Sequence, residues 1–433
     1  MNRKILQIAI PNIISNITIP LLGIVDLALV GHLQSEIYIG AIALGSMIFN
    51  FIYWGFSFLR MGTSGFTAQS YGKKDFQESF QHLLRAVFIG FIGAVFLLIL
   101  QKPIDFLSFS LIKGSPEVEH FARQYFYIRI WAAPATLAIY SISGWYIGMQ
   151  NARVPMVIAI LVNLFNIGFN VLFVKVFHMK SDGVALGTVF AQYLGLLASL
   201  FFLRKYKKRI MHSFNLKNIM QTDELKRFFK VNKDIFIRTM SLVFALSFFT
   251  AQSAKYGDSL LAVNTLLLQF FTIFAYITDG FAYAGEALAG KFYGAKDNLK
   301  LKRVIKLLFA WGFAISLLFT IIYRLGDSFL LQLFTNNPDV LENLKPYLFW
   351  IYFIPIISFG AFIWDGIFIG LTASASLRDA MLISTFLIFL PAYYILHFYF
   401  HNHGLWLAFM LFMLSRFITL SIYFKKLHFN YAK

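Results

Sequence analysis

The residues able to do chemistry in this chain are few, and each interrupts a long apolar run. Asp26 lies six residues after Pro20. If that run sits in hydrocarbon, an acid at its centre costs about 2.5–3.5 kcal/mol on insertion scales and needs either a task or a partner. Proline cannot donate its backbone hydrogen bond and bends a helix, so a bend stands beside a group able to take up a proton. Asp26 is also close enough to Gly31-His32 to reach the outer interface, which is the competing reading. Asn163, Asn166 and Asn170 follow at i, i+3 and i+7, on one helical face, and Thr188 offers a hydroxyl to the same cavity from the next run. Such amides hydrogen-bond a carboxylate, coordinate a cation through oxygen, or simply hold helices together. Arg129 lies at about the depth of Asp26 and is a candidate to balance its charge.

A different set occupies the second half. Asp279 and Glu286 are spaced i, i+7, Asp365 lies within Trp364-Asp365-Gly366, and Arg238 is a candidate partner for these acids. An ion pair with no transport role is the competing reading of this C-lobe polar cluster. Glu286 is near the end of its run and is expected to snorkel, while Arg60 and Arg416 are expected to anchor helix ends. No GxxxxGK[ST] loop exists to cradle phosphates, which argues against nucleotide-driven work. The string His401-Asn402-His403 reads as a solvated turn, no metal site is expected, and the absence of cysteine excludes thiol chemistry.

The elements that must carry these residues are set by composition. Of 433 residues, 59% are hydrophobic and 13% charged, against roughly 25% charged in a soluble domain. Runs of roughly 20 apolar residues suffice to cross a bilayer, and twelve are found, near residues 5–31, 38–66, 83–101, 119–148, 155–177, 183–203, 234–254, 259–288, 304–323, 346–372, 379–399 and 404–424. The first run lacks a small-residue cleavage site and is expected to be retained. The net charge of +18 sits in short loops, which speaks against nucleic acid. Of the 38 Lys and Arg, 26 fall at the termini and on one set of loops and 8 on the opposite set. The positive-inside rule then predicts that both termini are cytoplasmic. The expected organisation is a six-helix lobe over 1–203, a basic cytoplasmic linker over 204–233 and a second six-helix lobe over 234–433.

The halves repeat. Tyr71-Gly72-Lys73-Lys74-Asp75 matches Tyr293-Gly294-Ala295-Lys296-Asp297, and Gly144-Trp145-Tyr146-Ile147-Gly148 matches Gly366-Ile367-Phe368-Ile369-Gly370, both at an offset of 222. Gly183-Val184-Ala185-Leu186 matches Gly404-Leu405-Trp406-Leu407 at 221, as does Pro134 with Pro355. Six spans per repeat give both halves the same polarity, the parallel-repeat plan of secondary transporters.

The stretch Pro20 to Asp26 followed by Val30-Gly31-His32-Leu33, then Gly62-Thr63-Ser64-Gly65 and Ala68-Gln69-Ser70-Tyr71-Gly72, resembles the multidrug and toxin extrusion (MATE) family. Arg60-Met61-Gly62-Thr63 and the span from Trp364 to Gly370 are similar to its DNA-damage-inducible (DinF-like) branch. The resemblance covers essentially the whole chain. It implies an all-α, twelve-helix, V-shaped antiporter of the inner membrane, a monomer without cofactor, that expels organic, often cationic and amphipathic compounds against protons or sodium. It also implies that Asp26 takes part in cation binding. The family's fifth span commonly pairs Asn with an Asp four residues on, positions matched by Asn166 and Asn170, so one carboxylate is missing here. That substitution favours protons over sodium as the coupling ion. Asp365 matches the family's acid of span 10, while Arg238 stands near where other branches carry an acid in span 7. A lipid or lipid-linked-sugar flippase of the same superfamily is the alternative function, and an enzyme is not expected.

Overall fold

The computed structural model describes residues 1–30, 36–206, 221–335 and 337–427, the side chains of 19–30 excepted. The described residues are almost entirely helical, as a chain in hydrocarbon must be when no water is present to satisfy its backbone. The helices are α1 Asn2–Val30, α2 Glu36–Gly55, α3 Phe58–Lys73, α4 Phe76–Ile99, α5 Gln101–Leu111, α6 Pro116–Arg129, α7 Ala133–Gly148, α8 Arg153–Val171 and α9 Ser181–Leu203. There follow α10 Thr222–Ala254, α11 Asp258–Gly294, α12 Asn298–Phe334, α13 Pro338–Leu344, α14 Leu348–Gly370, α15 Ser374–Leu382 and α16 Leu390–Lys426. Nine helical stretches among the described residues are long and apolar enough to cross a membrane. Large apolar side chains such as Phe91, Phe96 and Ile99 of α4 point outward, each more than half exposed, as lipid contact requires.

One of those nine stretches, Ser374–Lys426, holds two passes. His401 breaks α16 with φ 48° and ψ −123°, and Phe389, twelve residues before it, meets Phe412, eleven after, with ring centroids 5.6 Å apart. The two arms therefore lie side by side as a hairpin. Conversely, the second pass is two pieces: α2 stops at Gly55, and i→i+3 bonds from Ser57 N to Trp54 O and from Arg60 N to Ser57 O, each 3.1 Å, tighten the turn before α3.

The chain divides into two compact units, Ile14–Phe229 and Lys230–Lys433 with Met1–Ile13. This differs from the division at 203 and 234 at both edges. The first thirteen residues group with the C-terminal unit, where Ala9 O and Ile13 close over Gly280. Helix α10 begins at Thr222, inside the stretch expected to be linker, and its first turns belong to the N-terminal unit. There Phe228 stacks on Phe66 with centroids 5.5 Å apart, and Glu224 pairs with the buried Arg85 at 3.6 Å. A buried aromatic and a buried ion-pair partner make this segment part of a packed helix. Residues 207–220 of that stretch lie outside the described residues.

The sequence repeat is a repeat of backbone contacts. Lys74 and Lys296 both turn the chain with a left-handed φ, 61° and 55°. Asp75 and Asp297 then cap the next helix, accepting from Glu78 N at 2.8 Å and Lys300 N at 3.0 Å. In the N-terminal unit α7 packs on α3 so closely that a Cβ on Gly144 would sit 2.3 Å from Arg60 O; in the C-terminal unit α14 packs on α11, and the same atom on Gly366 would sit 2.0 Å from Ala282 O. Arg60 and Ala282 are themselves 222 residues apart. Only glycine allows these approaches.

Candidate functional site

In the N-terminal unit the amide face of α8 is a chain of hydrogen bonds. Asn170 Nδ2 donates to Asn166 Oδ1 at 3.0 Å, Asn166 Nδ2 to Thr188 Oγ1 of α9 at 3.0 Å, and Thr188 Oγ1 to Val184 O at 3.0 Å. Asn166 and Asn170 are 2% and 0% exposed. Gly187 brings α9 against this stripe, since a Cβ there would fall 2.1 Å from Asn170 Oδ1. The third amide reaches elsewhere: Asn163 Nδ2 donates to Thr18 O of α1 at 3.1 Å, two residues before Pro20. The side chains of Pro20 and Asp26 lie outside the described residues. Arg129 is held by α2 and its own helix, donating to Ser46 Oγ at 3.0 Å and to Tyr125 OH, with its guanidinium 4.9 Å from the centroid of Phe49.

The C-terminal unit gathers charges instead of amides. Arg238 of α10 and Arg416 of α16 both donate to Asp365 Oδ2 of α14, the latter at 2.6 Å. All three are buried. Asp279, half-buried on α11, acts on Arg416 through space. Nearby on α10, Asp234 accepts from Ser374 Oγ at 2.9 Å and Arg378 NH1 at 2.6 Å.

Three expectations need correction. Arg416 does not anchor a helix end: it is 1% exposed and completes the Asp365 cluster. A readable signal was present, because Met413, Phe412 and Phe409 precede it at i−3, i−4 and i−7 and are all buried. Glu286 does not snorkel; it is 1% exposed, and its carbonyl packs where a Cβ on Gly370 would come within 2.4 Å. The His401-Asn402-His403 string is not a solvated turn. Asn402 is fully buried and exchanges hydrogen bonds with Asn264 at 2.7 and 3.1 Å, Trp406 Nε1 donates to Asn264 Oδ1 at 2.8 Å, and His403 accepts from Trp350 Nε1 at 3.1 Å. An amide pair that satisfies itself can be buried at little cost, and the tight break at His401 is what brings it inside. Sequence reasoning also missed a cleft of about 510 Å³ in the N-terminal unit, lined by His120, Arg123, Gln124, Tyr127, Ile128 and Asp182.

Twelve passes in two repeats, with polar groups drawn inward in each, are the architecture of a transporter, and the MatE family model matches residues 11–172 and again 235–395. The chain belongs to the MatE family. It is 33% identical over 430 residues to the DNA damage-inducible protein F of Escherichia coli, covering 98% of this chain and 92% of that protein. A probable multidrug resistance protein NorM of Thermotoga maritima is 23% identical over 80% of this chain and 75% of its own. Among solved structures, the outward-facing conformation of a multidrug resistance MATE family transporter of the MOP superfamily superposes with a TM-score of 0.86 at 19% identity, covering 98% and 95% of the two chains. This MatE chain is thus a multi-pass membrane transporter with the twelve-helix fold. The two family matches fall one on each repeat.

Proposed function

We propose that this MatE protein exports organic, amphipathic compounds in exchange for protons taken up at Asp26. The observation that carries the reading is the neutral relay Asn170, Asn166, Thr188 in the N-terminal unit. The position four residues after Asn166 holds an amide, so within this stripe no second fixed negative charge stands ready to bind a dehydrated metal cation. A lone carboxylate suits a proton. The bond from Asn163 to Thr18 O ties the stripe to α1 just before Pro20, so a bend of α1 on protonation would be felt along α8. One proton moving across 100 mV supplies about 2.3 kcal/mol, enough for a modest substrate gradient.

In this reading the protein is a monomer of the cell inner membrane with both termini in the cytoplasm, as its Lys and Arg asymmetry supports, and it works without a cofactor or catalysis. Everted vesicles test the coupling. Asp26→Asn should abolish proton release on adding substrate, and unaltered release would refute the mechanism. A requirement for sodium at fixed pH would reassign the ion.

A further inference from the structure

His120, Arg123, Gln124 and Tyr127 of α6 are spaced i, i+3, i+4 and i+7, so they share one helical face. That face and Asp182, at the start of α9, line the cleft of about 510 Å³, a volume within the roughly 300–1,000 Å³ of small-molecule sites. The charges around it are of both signs. Arg123 NH1 donates to Asp105 of α5, and the guanidinium lies 4.4 Å from the centroid of Phe109; among the described residues most of its N–H donors are left over. Asp182 accepts a backbone bond from Lys180 N at 2.8 Å and pairs with no cation among the described residues. The Lys180 ammonium is turned instead to the rings of Tyr38 and Phe121, 5.1 and 5.9 Å from their centroids. Gln124 Nε2 donates to His120 Nε2 at 3.1 Å, which leaves the amide oxygen as an acceptor and the other ring nitrogen as a donor. Glu117 and Glu119 lie outside the lining, the latter accepting from Gly114 N at 3.2 Å. Arg123 and Lys180 are thus balanced by Asp105 and Asp182. Such a cleft favours neither a net anion nor a net cation, but a molecule that carries one charge of each sign.

Beyond the cleft the surface turns apolar. Tyr193 OH donates to Trp131 O at 3.1 Å, which ties α9 to the turn after α6. Both rings are exposed, as in the aromatic belt of a membrane interface. Tyr193, Leu197 and Leu200 follow Asp182 by 11, 15 and 18 residues, on the same face of α9, and all three are exposed. At 1.5 Å per residue Leu197 lies about 22 Å along the helix from Asp182, far enough to reach from the interface well into the hydrocarbon. A free zwitterion needs no such track, whereas an acyl chain does.

We propose that the groove between α6 and α9 holds a zwitterionic phospholipid with a primary ammonium head, of the phosphatidylethanolamine class. Its phosphate lies on Arg123 and His120, its ammonium on Asp182, and an acyl chain runs along Tyr193, Leu197 and Leu200. Guanidinium suits the phosphate because its planar donors match two oxygens at once. A primary ammonium donates hydrogen bonds to the Asp182 carboxylate; the quaternary ammonium of a choline head has no N–H to give and is the poorer ligand. All the residues involved belong to the N-terminal unit, so the site is complete within it. Three passes separate the start of α6 from the N-terminus, which places the site, in the topology proposed above, in the outer leaflet. The inference is independent of which ion drives transport.

The chain has no cysteine, so Leu197→Cys takes a single bimane label within the groove. Labelled full-length protein is placed in phosphatidylcholine nanodiscs, and a growing share of the lipid is replaced by phosphatidylethanolamine with brominated chains, which quench the label on contact. Half-quenching should come at a mole fraction at least roughly tenfold lower than with brominated phosphatidylcholine, the worth of one charge-assisted hydrogen bond. Asp182→Asn, whose side-chain oxygen can still accept from Lys180 N, should bring the two curves together. Brominated diacylglycerol, which lacks the phosphate, should quench more weakly than brominated phosphatidylcholine, and Arg123→Gln should remove that difference. The same label on Phe96→Cys, at an exposed position of α4, should show no preference among the lipids. Equal quenching by the ethanolamine and choline lipids at Leu197→Cys, or a preference that survives Asp182→Asn, overturns the proposal. An equal preference at Phe96→Cys would mean general enrichment around the protein and overturns it too. Reversal of the quenching by excess soluble glycerophosphoethanolamine would make the ligand a free zwitterion and refute the lipid.

Discussion

The two halves of this transporter share a skeleton and differ in charge. At an offset of 222, Asp365 corresponds to Ser143, Asp279 to Ser57, Glu286 to Ser64 and Arg238 to Asn16. These three acids thus stand where the N-terminal half has serine. The N-terminal half has its own signature, the amides of α8, and holds them with neutral hydrogen bonds. Backbone contacts, by contrast, were kept: the glycine seats of α7 on α3 and of α14 on α11 match atom for atom. Duplication conserved what lets helices touch and left the side chains lining each interior free to diverge. Asymmetric chemistry on a symmetric frame is what an antiporter needs if one half handles the ion and the other the cargo.

That contrast can be strained by mutation. The largest expected effect is Asp365→Ala, which leaves two buried guanidiniums facing each other and should cost about 3–5 kcal/mol of stability, as removal of one partner from a buried ion cluster does; unfolding of the purified protein measures it. A loss below about 1 kcal/mol would mean that the triad is solvated and the halves less different than they look. Next come the scaffold glycines. Gly144→Val and Gly366→Val should each cost about 1–3 kcal/mol through overpacking, and by closely similar amounts. Unequal losses would break the claim that the frame is symmetric. Asp75→Ala should cost about 1 kcal/mol through loss of a helix cap, and Asp297→Ala should move the unfolding midpoint in the same direction. The Lys300 side chain and N–H hold the Asp297 carboxyl below the usual carboxylate range. Its contribution is therefore present above the unfolded value of about 4 and is lost as pH falls through the lower folded one, so the Asp297 effect should vanish in acid. The smallest effect on stability belongs to Asn166→Ala, about 0.6 kcal/mol for an interhelical bond within a membrane. Asn170→Asp sharpens the comparison from the other side: restoring a carboxylate beside Asn166 should make transport in vesicles respond to sodium, and indifference to sodium would detach the coupling ion from this position.

Much of the frame was legible in the residues. Twelve passes, the repeat and its offset, and the amide face of α8 follow from hydrophobic run length and from periodicity. Helix ends were less so: α12 runs to Phe334 and α10 starts at Thr222, because polar residues at the ends of a long helix look like loop. Arg416 and Glu286 were misplaced for one reason. Depth along a helix can be counted, but whether a residue faces lipid, headgroups or the interior depends on which neighbour covers it, and those neighbours are more than a hundred residues away or on another span. The buried Asn402 shows the same limit, since its partner Asn264 lies 138 residues earlier.

The hairpin at His401 bears on how the protein is made. The arm that follows it supplies Asn402 and Trp406 to Asn264 and Arg416 to Asp365, and it leaves the ribosome after both of them. Until then Asn264 has been in the membrane without two of its partners, and Asp365 has had one arginine in place of two. Completion of these two clusters is thus deferred until that arm is made. A chain truncated before residue 402 enters the bilayer with Asn264 and Asp365 each short of partners, and membrane quality control has a chemical mark by which to recognise it.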